Sequence, residues 1–78
     1  MAAMTQETLQ TVIAETIAAH GAEVERWLVR EPGAWGFLAG KAVISMRLKL
    51  GRRLVDEERR TIWATLWDSL QGIAVGRI

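Results

Sequence analysis

Few residues of this 78-residue chain could do chemistry, and the single histidine is the first of them. His20 has Glu23 three residues after it and Glu15 five residues before it, so an imidazole and a carboxylate could share a helix face and bind a metal ion. These side chains fall short of a complete site in one chain, and His20 lies within an apolar stripe. We therefore predict a histidine of the core or of a subunit interface. The alternative is a metal site that a second subunit completes.

The sequence contains few residues that could serve in nucleophilic catalysis. There is no cysteine and no tyrosine, and Ser45 and Ser69 have no histidine nearby in sequence. No glycine-rich phosphate loop followed by Lys and Ser or Thr is present. A domain of this size also has little room for a sizeable pocket of its own. The prediction is a protein without enzymatic activity, without a metal and without a cofactor.

Basic residues cluster in the second half of the chain. Seven of the ten Lys and Arg residues lie within twenty positions: Lys41, Arg47, Lys49, Arg52, Arg53, Arg59 and Arg60. Such clustering is typical of a phosphate-binding surface. The alternative function is therefore a nucleic-acid-binding accessory protein that uses the segment 47–60, through Arg47, Lys49, Arg52 and Arg53. The favoured interpretation is structural, because cations at one helix end and the acids at 56–58 that begin the next helix both complement helix dipoles.

Four tryptophans could suggest base stacking or an aromatic cage for a ligand. Trp27, Trp63 and Trp67 instead fall within the apolar stripes of their predicted helices, which favours anchors of the core or of a subunit interface. Trp35 follows a Pro-Gly turn and is the tryptophan best placed for ligand contact.

Two breaks divide the chain into predicted helices, one at Glu31-Pro32-Gly33 and one near Gly51. No strand-like alternation occurs, so the predicted class is all-α with three helices, over about 5–30, 35–50 and 56–71. We expect one domain over 1–78, with frayed tails at 1–4 and 72–78.

The predicted helix bounds follow from the capping residues and from the phase of the apolar stripes. Thr5 is a good N-cap for the first helix and Asp56 for the third. The apolar stripe of the first helix stays in phase across Gly21, so we expect that helix to continue through the glycine.

The second helix is apolar on two sides, and this feature predicts a partner. Opposite the broad face that serves the core, Phe37, Ile44 and Leu48 form a second seam that three short helices cannot also cover. A helical bundle formed by a homodimer is the commonest solution. The predicted interface residues are Trp27, Phe37, Ile44, Leu48, Trp63 and Trp67.

The leading functional prediction is a non-enzymatic, homo-oligomerising module for protein-protein interaction. The net charge of +1 gives no global bias towards nucleic acid, and no apolar run is long enough to span a membrane. Peripheral membrane binding through Trp35, Phe37 and Leu38 would compete with the core for the same face. The lack of cysteine and of a signal-like N-terminus favours a cytoplasmic protein.

Overall fold

The computed structural model describes residues 3–76, and this part of the chain contains helices and no strand. The helices are α1 (Gln6–Ala19), α2 (Gly21–Leu28), α3 (Ala34–Leu50) and α4 (Asp56–Gly76). The predicted all-α class is confirmed. None of these helices is both long enough and apolar enough to cross a membrane.

The core lies around α3, which packs against each of the other three helices. The buried residues come from all four helices and from the α3–α4 connection: Leu9, Val12, Ile13, Val24, Leu38, Ala39, Ala42, Met46, Leu54, Ile62, Leu66 and Leu70. Burying each larger aliphatic side chain contributes about 1.5 to 3 kcal/mol relative to leaving it exposed. Small residues at positions 39 and 42 of α3 allow its neighbours to approach closely.

The first predicted helix is interrupted, so the expectation of three helices and of continuity through Gly21 was wrong. His20 has non-helical dihedral angles (φ −125°, ψ 47°) and separates α1 from α2. Two local features favour a break here. The Thr16 hydroxyl donates to the Val12 carbonyl at 2.8 Å, an interaction that bends helices, and glycine is a poor helix former.

The end of α2 is closed by two backbone hydrogen bonds of the Schellman type. The N–H of Glu31 donates to the carbonyl of Arg26 at 2.9 Å, and the N–H of Arg30 donates to the carbonyl of Trp27 at 2.9 Å. This places Arg30 in the left-handed region (φ 60°), the single non-glycine residue to adopt it between residues 3 and 76. A glycine would adopt this conformation without strain.

The connection from α3 to α4 begins at Gly51, whose φ of 68° ends α3 and whose N–H donates to the Arg47 carbonyl at 2.8 Å. The predicted N-cap of the last helix was off by one residue. Asp56 is the first helical residue, and the carboxylate of Glu58 accepts from the N–H of Val55 at 3.0 Å. In a capping box, the side chain of the third helical residue accepts from the N–H of the N-cap in this way.

The last helix runs five residues beyond its predicted end near 71. Ile73 packs against the core, which gives this extra turn an apolar contact, and Met4 does the same before α1. Of the tails expected to fray, residues 1, 2, 77 and 78 lie outside the described part of the chain.

Gly21 and Gly51 form a matched pair for testing how the two connections are stabilised. A Cβ atom at either position meets no atom within 4 Å, but only Gly51 has a positive φ. Gly21→Ala is expected to raise the free energy of unfolding by about 0.5 to 1 kcal/mol, because alanine restricts the unfolded chain. Gly51→Ala is expected to lower it by about 1 kcal/mol through backbone strain. Urea unfolding of both variants checks this, and the same sign in both would contradict it.

Candidate interaction site

The outer face of α3 carries an exposed stripe, the α3 seam, formed by Phe37, Lys41, Ile44 and Leu48. Its residues are spaced by four, three and four positions, so they lie on one side of the helix. Phe37, Ile44 and Leu48 are 40%, 49% and 78% exposed. Met46 lies on the opposite face and is fully buried. Residues 3–76 therefore leave much of the predicted second seam exposed.

At the N-terminal end of the α3 seam, two side chains contact the ring of Phe37. The His20 ring meets it edge-on, with centroids 5.2 Å apart, and Lys41 Nζ lies 5.3 Å from its centroid. An exposed cation–π contact of this kind contributes about 0.5 to 1 kcal/mol. His20 thus lies beside the exposed seam. Residues 3–76 contain no cluster of three side chains able to ligate a metal.

Two glycines border the α3 seam on one side. Gly36 and Gly40 are four residues apart on α3, and a Cβ atom at either position would meet nothing within 4 Å. The backbone of α3 is therefore accessible beside the seam, and another helix could approach it closely here.

At its C-terminal end the α3 seam opens into a groove of about 460 Å³. The groove is lined by Ile44, Arg47, Leu48, Gly51, Arg52 and Arg53. Apolar and cationic groups thus lie side by side at this end of α3.

The predicted nucleic-acid-binding cations are partly neutralised inside the chain. Lys49 Nζ lies 3.2 Å from a carboxylate oxygen of Glu15. Arg52 also has a carboxylate partner, whereas Arg47 and Arg53 form no ion pair within residues 3–76. Two of the four predicted residues are therefore unpaired cations.

An ion pair between Arg52 and Glu58 spans the α3–α4 connection. Arg52 Nη1 and Nη2 donate to Glu58 Oε1 at 2.9 Å and Oε2 at 2.7 Å, a bidentate arrangement. The hydrogen bond from Arg52, assisted by that from the Val55 N–H, lowers the pKa of Glu58 to about 2. Glu58 thus links the helix cap of α4 to the end of α3.

Three tryptophans form a cluster between α2, α3 and α4. The Trp67 ring meets Trp27 edge-on at 5.5 Å and Trp35 edge-on at 5.3 Å. Each pair of this geometry adds about 0.5 to 1.5 kcal/mol beyond area burial. Trp67 is 44% exposed and Trp63 is 39% exposed, and Trp63 makes no ring contact with the other three in the described chain. Of the predicted interface residues, Trp27 and Trp67 thus lie in this cluster, whereas Phe37, Ile44 and Leu48 lie in the α3 seam.

Sequence reasoning missed several residues that shape these surfaces. Trp35 contacts Trp67 across about thirty positions of sequence, and no local pattern signals that pairing. Lys41 belongs to the basic cluster by its place in the sequence, but its spacing of four from Phe37 puts it in the α3 seam. The left-handed Arg30 had one available signal, Pro32, since proline is common shortly after a helix ends.

No family model, curated protein or solved structure matches this chain. The features that bear on function are the α3 seam, its charged ends and the tryptophan cluster.

The lowered pKa of Glu58 predicts a pH-dependent stability. Its folded-state pKa of about 2 lies below the ordinary value of 4.5, so the stabilisation is fully present above about pH 4.5 and is lost as the pH falls towards 2. Glu58→Gln should reduce this acid dependence of the unfolding free energy. Glu57→Gln is the control, because the Glu57 side chain has no hydrogen bond or ion pair within residues 3–76. Equal acid sensitivity in wild type and Glu58→Gln would contradict the prediction.

Proposed function

We propose that this chain is a non-enzymatic protein-protein interaction module that homodimerises through the α3 seam. The single observation that carries the proposal is the exposed stripe at a spacing of four, three and four on a helix whose opposite face is already buried. This spacing is that of a short coiled-coil seam, which buries its apolar residues only against another helix.

A second copy suits the α3 seam because the stripe matches itself when its direction is reversed. In an antiparallel pair related by a two-fold axis, Phe37 lies opposite Leu48 of the second copy, and Lys41 lies opposite its Ile44. Each copy contributes the same patch, as an isologous interface requires. The open backbone at Gly36 and Gly40 leaves room for the two helices to approach.

Lys41 favours the antiparallel orientation. A parallel pair in register would place the two Lys41 ammonium groups opposite each other, and like charges at that distance repel. In the antiparallel pair, the aliphatic stem of Lys41 covers Ile44 of the second copy while its ammonium reaches solvent. A single lysine in a coiled-coil seam specifies register at some cost in stability.

Nucleic-acid binding through Arg47, Lys49, Arg52 and Arg53 has less support. Lys49 and Arg52 already have carboxylate partners, so few free cations are available to release counterions from phosphates. The exposed apolar side chains next to these cations fit a protein surface better than a phosphate backbone.

Acidic substitutions in the α3 seam test the proposed dimer. The Phe37→Asp, Ile44→Asp double variant should weaken self-association by roughly 100-fold, because dimerisation would bury two unpaired carboxylates per copy. Sedimentation velocity across micromolar concentrations measures this, and circular dichroism verifies that the variant folds. Val75→Asp, at an exposed position of α4, is the control and should associate like wild type. A wild type that stays monomeric would overturn the proposal.

Lys41→Leu tests the orientation of the two copies. Replacing the ammonium by an apolar group should strengthen self-association by about tenfold and remove the penalty on the parallel pair. Spin labels at position 47, an exposed position beside the seam, should report one long distance in the wild-type dimer and an added short distance in Lys41→Leu. An unchanged distance distribution together with unchanged affinity would contradict a role of Lys41 in orientation.

A further inference from the structure

A groove of about 480 Å³ lies on the side of the molecule where α2, the start of α3 and α4 meet. We call it the Trp groove, because its walls include Trp27, Trp35 and Trp67. Arg30, Glu31 and Gln71 also line it. The volume lies in the range of small-molecule sites, which are mostly apolar with a few polar groups.

Arg30 is the polar group that sets the charge preference of the Trp groove. It forms no ion pair within residues 3–76, whereas a carboxylate oxygen of Glu31 lies 3.8 Å from Arg26 Nε. A free guanidinium beside aromatic walls matches a carboxylate or sulfonate, which it can bind in a bidentate way. The carboxylate of Glu31 at the same groove disfavours ligands with several negative charges.

The backbone at Arg30 has a conformation that glycine adopts more readily. Its φ of 60° is strained for any side chain with a Cβ atom, and glycine would relieve that strain. Strained residues of this kind concentrate at functional sites. Arg30 thus combines a strained backbone with a side chain that lines the Trp groove.

The start of α3 adds to the positive potential of the Trp groove. The N-cap residue, Gly33, has no side chain to accept hydrogen bonds from the first-turn amides, and this turn contains no acid. The positive end of the helix dipole therefore has no side-chain cap next to Trp35. It complements Arg30, and both favour the same sign of ligand charge.

We propose that the Trp groove binds a small organic monoanion with a planar apolar body. The carboxylate or sulfonate pairs with Arg30, and the planar body packs on the half-buried ring of Trp35 and the exposed ring of Trp67. This site is separate from the α3 seam and does not require the homodimer.

Titration with 2-naphthoate tests the proposal, with the neutral 2-naphthamide as the matched probe. The four indole N–H signals in a ¹H–¹⁵N correlation spectrum report each tryptophan separately. We expect 2-naphthoate to shift the signals of Trp27, Trp35 and Trp67 and to leave that of Trp63 unchanged. Because a charge-assisted hydrogen bond is lost, 2-naphthamide should bind at least about tenfold more weakly. Equal affinities, or equal shifts at all four tryptophans, would overturn the proposal.

Arg30→Gly separates binding from stability, because the two should change in opposite directions. Relief of the left-handed strain, partly offset by the entropy that glycine adds to the unfolded chain, should raise the melting temperature by about 2 to 4 °C. Loss of the guanidinium should weaken 2-naphthoate binding at least about tenfold. Arg60→Gln, on α4, removes one positive charge elsewhere and should leave affinity unchanged. If Arg30→Gly binds 2-naphthoate as tightly as wild type, or if Arg60→Gln weakens binding equally, no site at Arg30 exists.

Discussion

The packing of α3 against the other three helices is the interaction on which the rest of the structure depends. Leu38, Ala42 and Met46 are fully buried on one face of α3, and each neighbouring helix supplies side chains to the same core. Once those helices occupy this face, residues 3–76 contain no further element to cover the other one. The exposed α3 seam thus follows from the small number of helices, because a short chain buries a limited share of its surface.

Breaks elsewhere in the chain let the remaining helices follow α3 along its length. α1 and α2 both contact α3, and the single non-helical residue between them, His20, also supplies the ring contact to Phe37. The left-handed residues Arg30 and Gly51 then turn the chain at the two ends of α3. The turn at Gly51 is unstrained, whereas the turn before α3 combines a left-handed glycine, Gly33, with the left-handed Arg30, which carries a cost in stability.

Local patterns in the sequence were enough to predict the all-α class, the turns near Pro32 and Gly51 and the uncovered seam of α3. They could not predict the break at His20, because the apolar stripe keeps its phase through it and Val24 is buried as a continuous helix would require. The N-cap of α4 was placed one residue too late because Val55, which precedes the helix, has no polar side chain to signal a cap. Contacts between distant positions, such as that between His20 and Phe37, have no local signal at all.

The geometry of α3 makes the two proposed surfaces compatible in one molecule. Trp35 and Phe37 are two positions apart on the helix, so their side chains leave it roughly 200° apart in angle. Trp35 faces α4 and lines the Trp groove, while Phe37 lies in the α3 seam. A ligand in the groove would therefore not occupy space needed by a second copy on the seam. The first turn of α3 thus contributes Trp35 to the Trp groove and Phe37, on the opposite face of the helix, to the α3 seam.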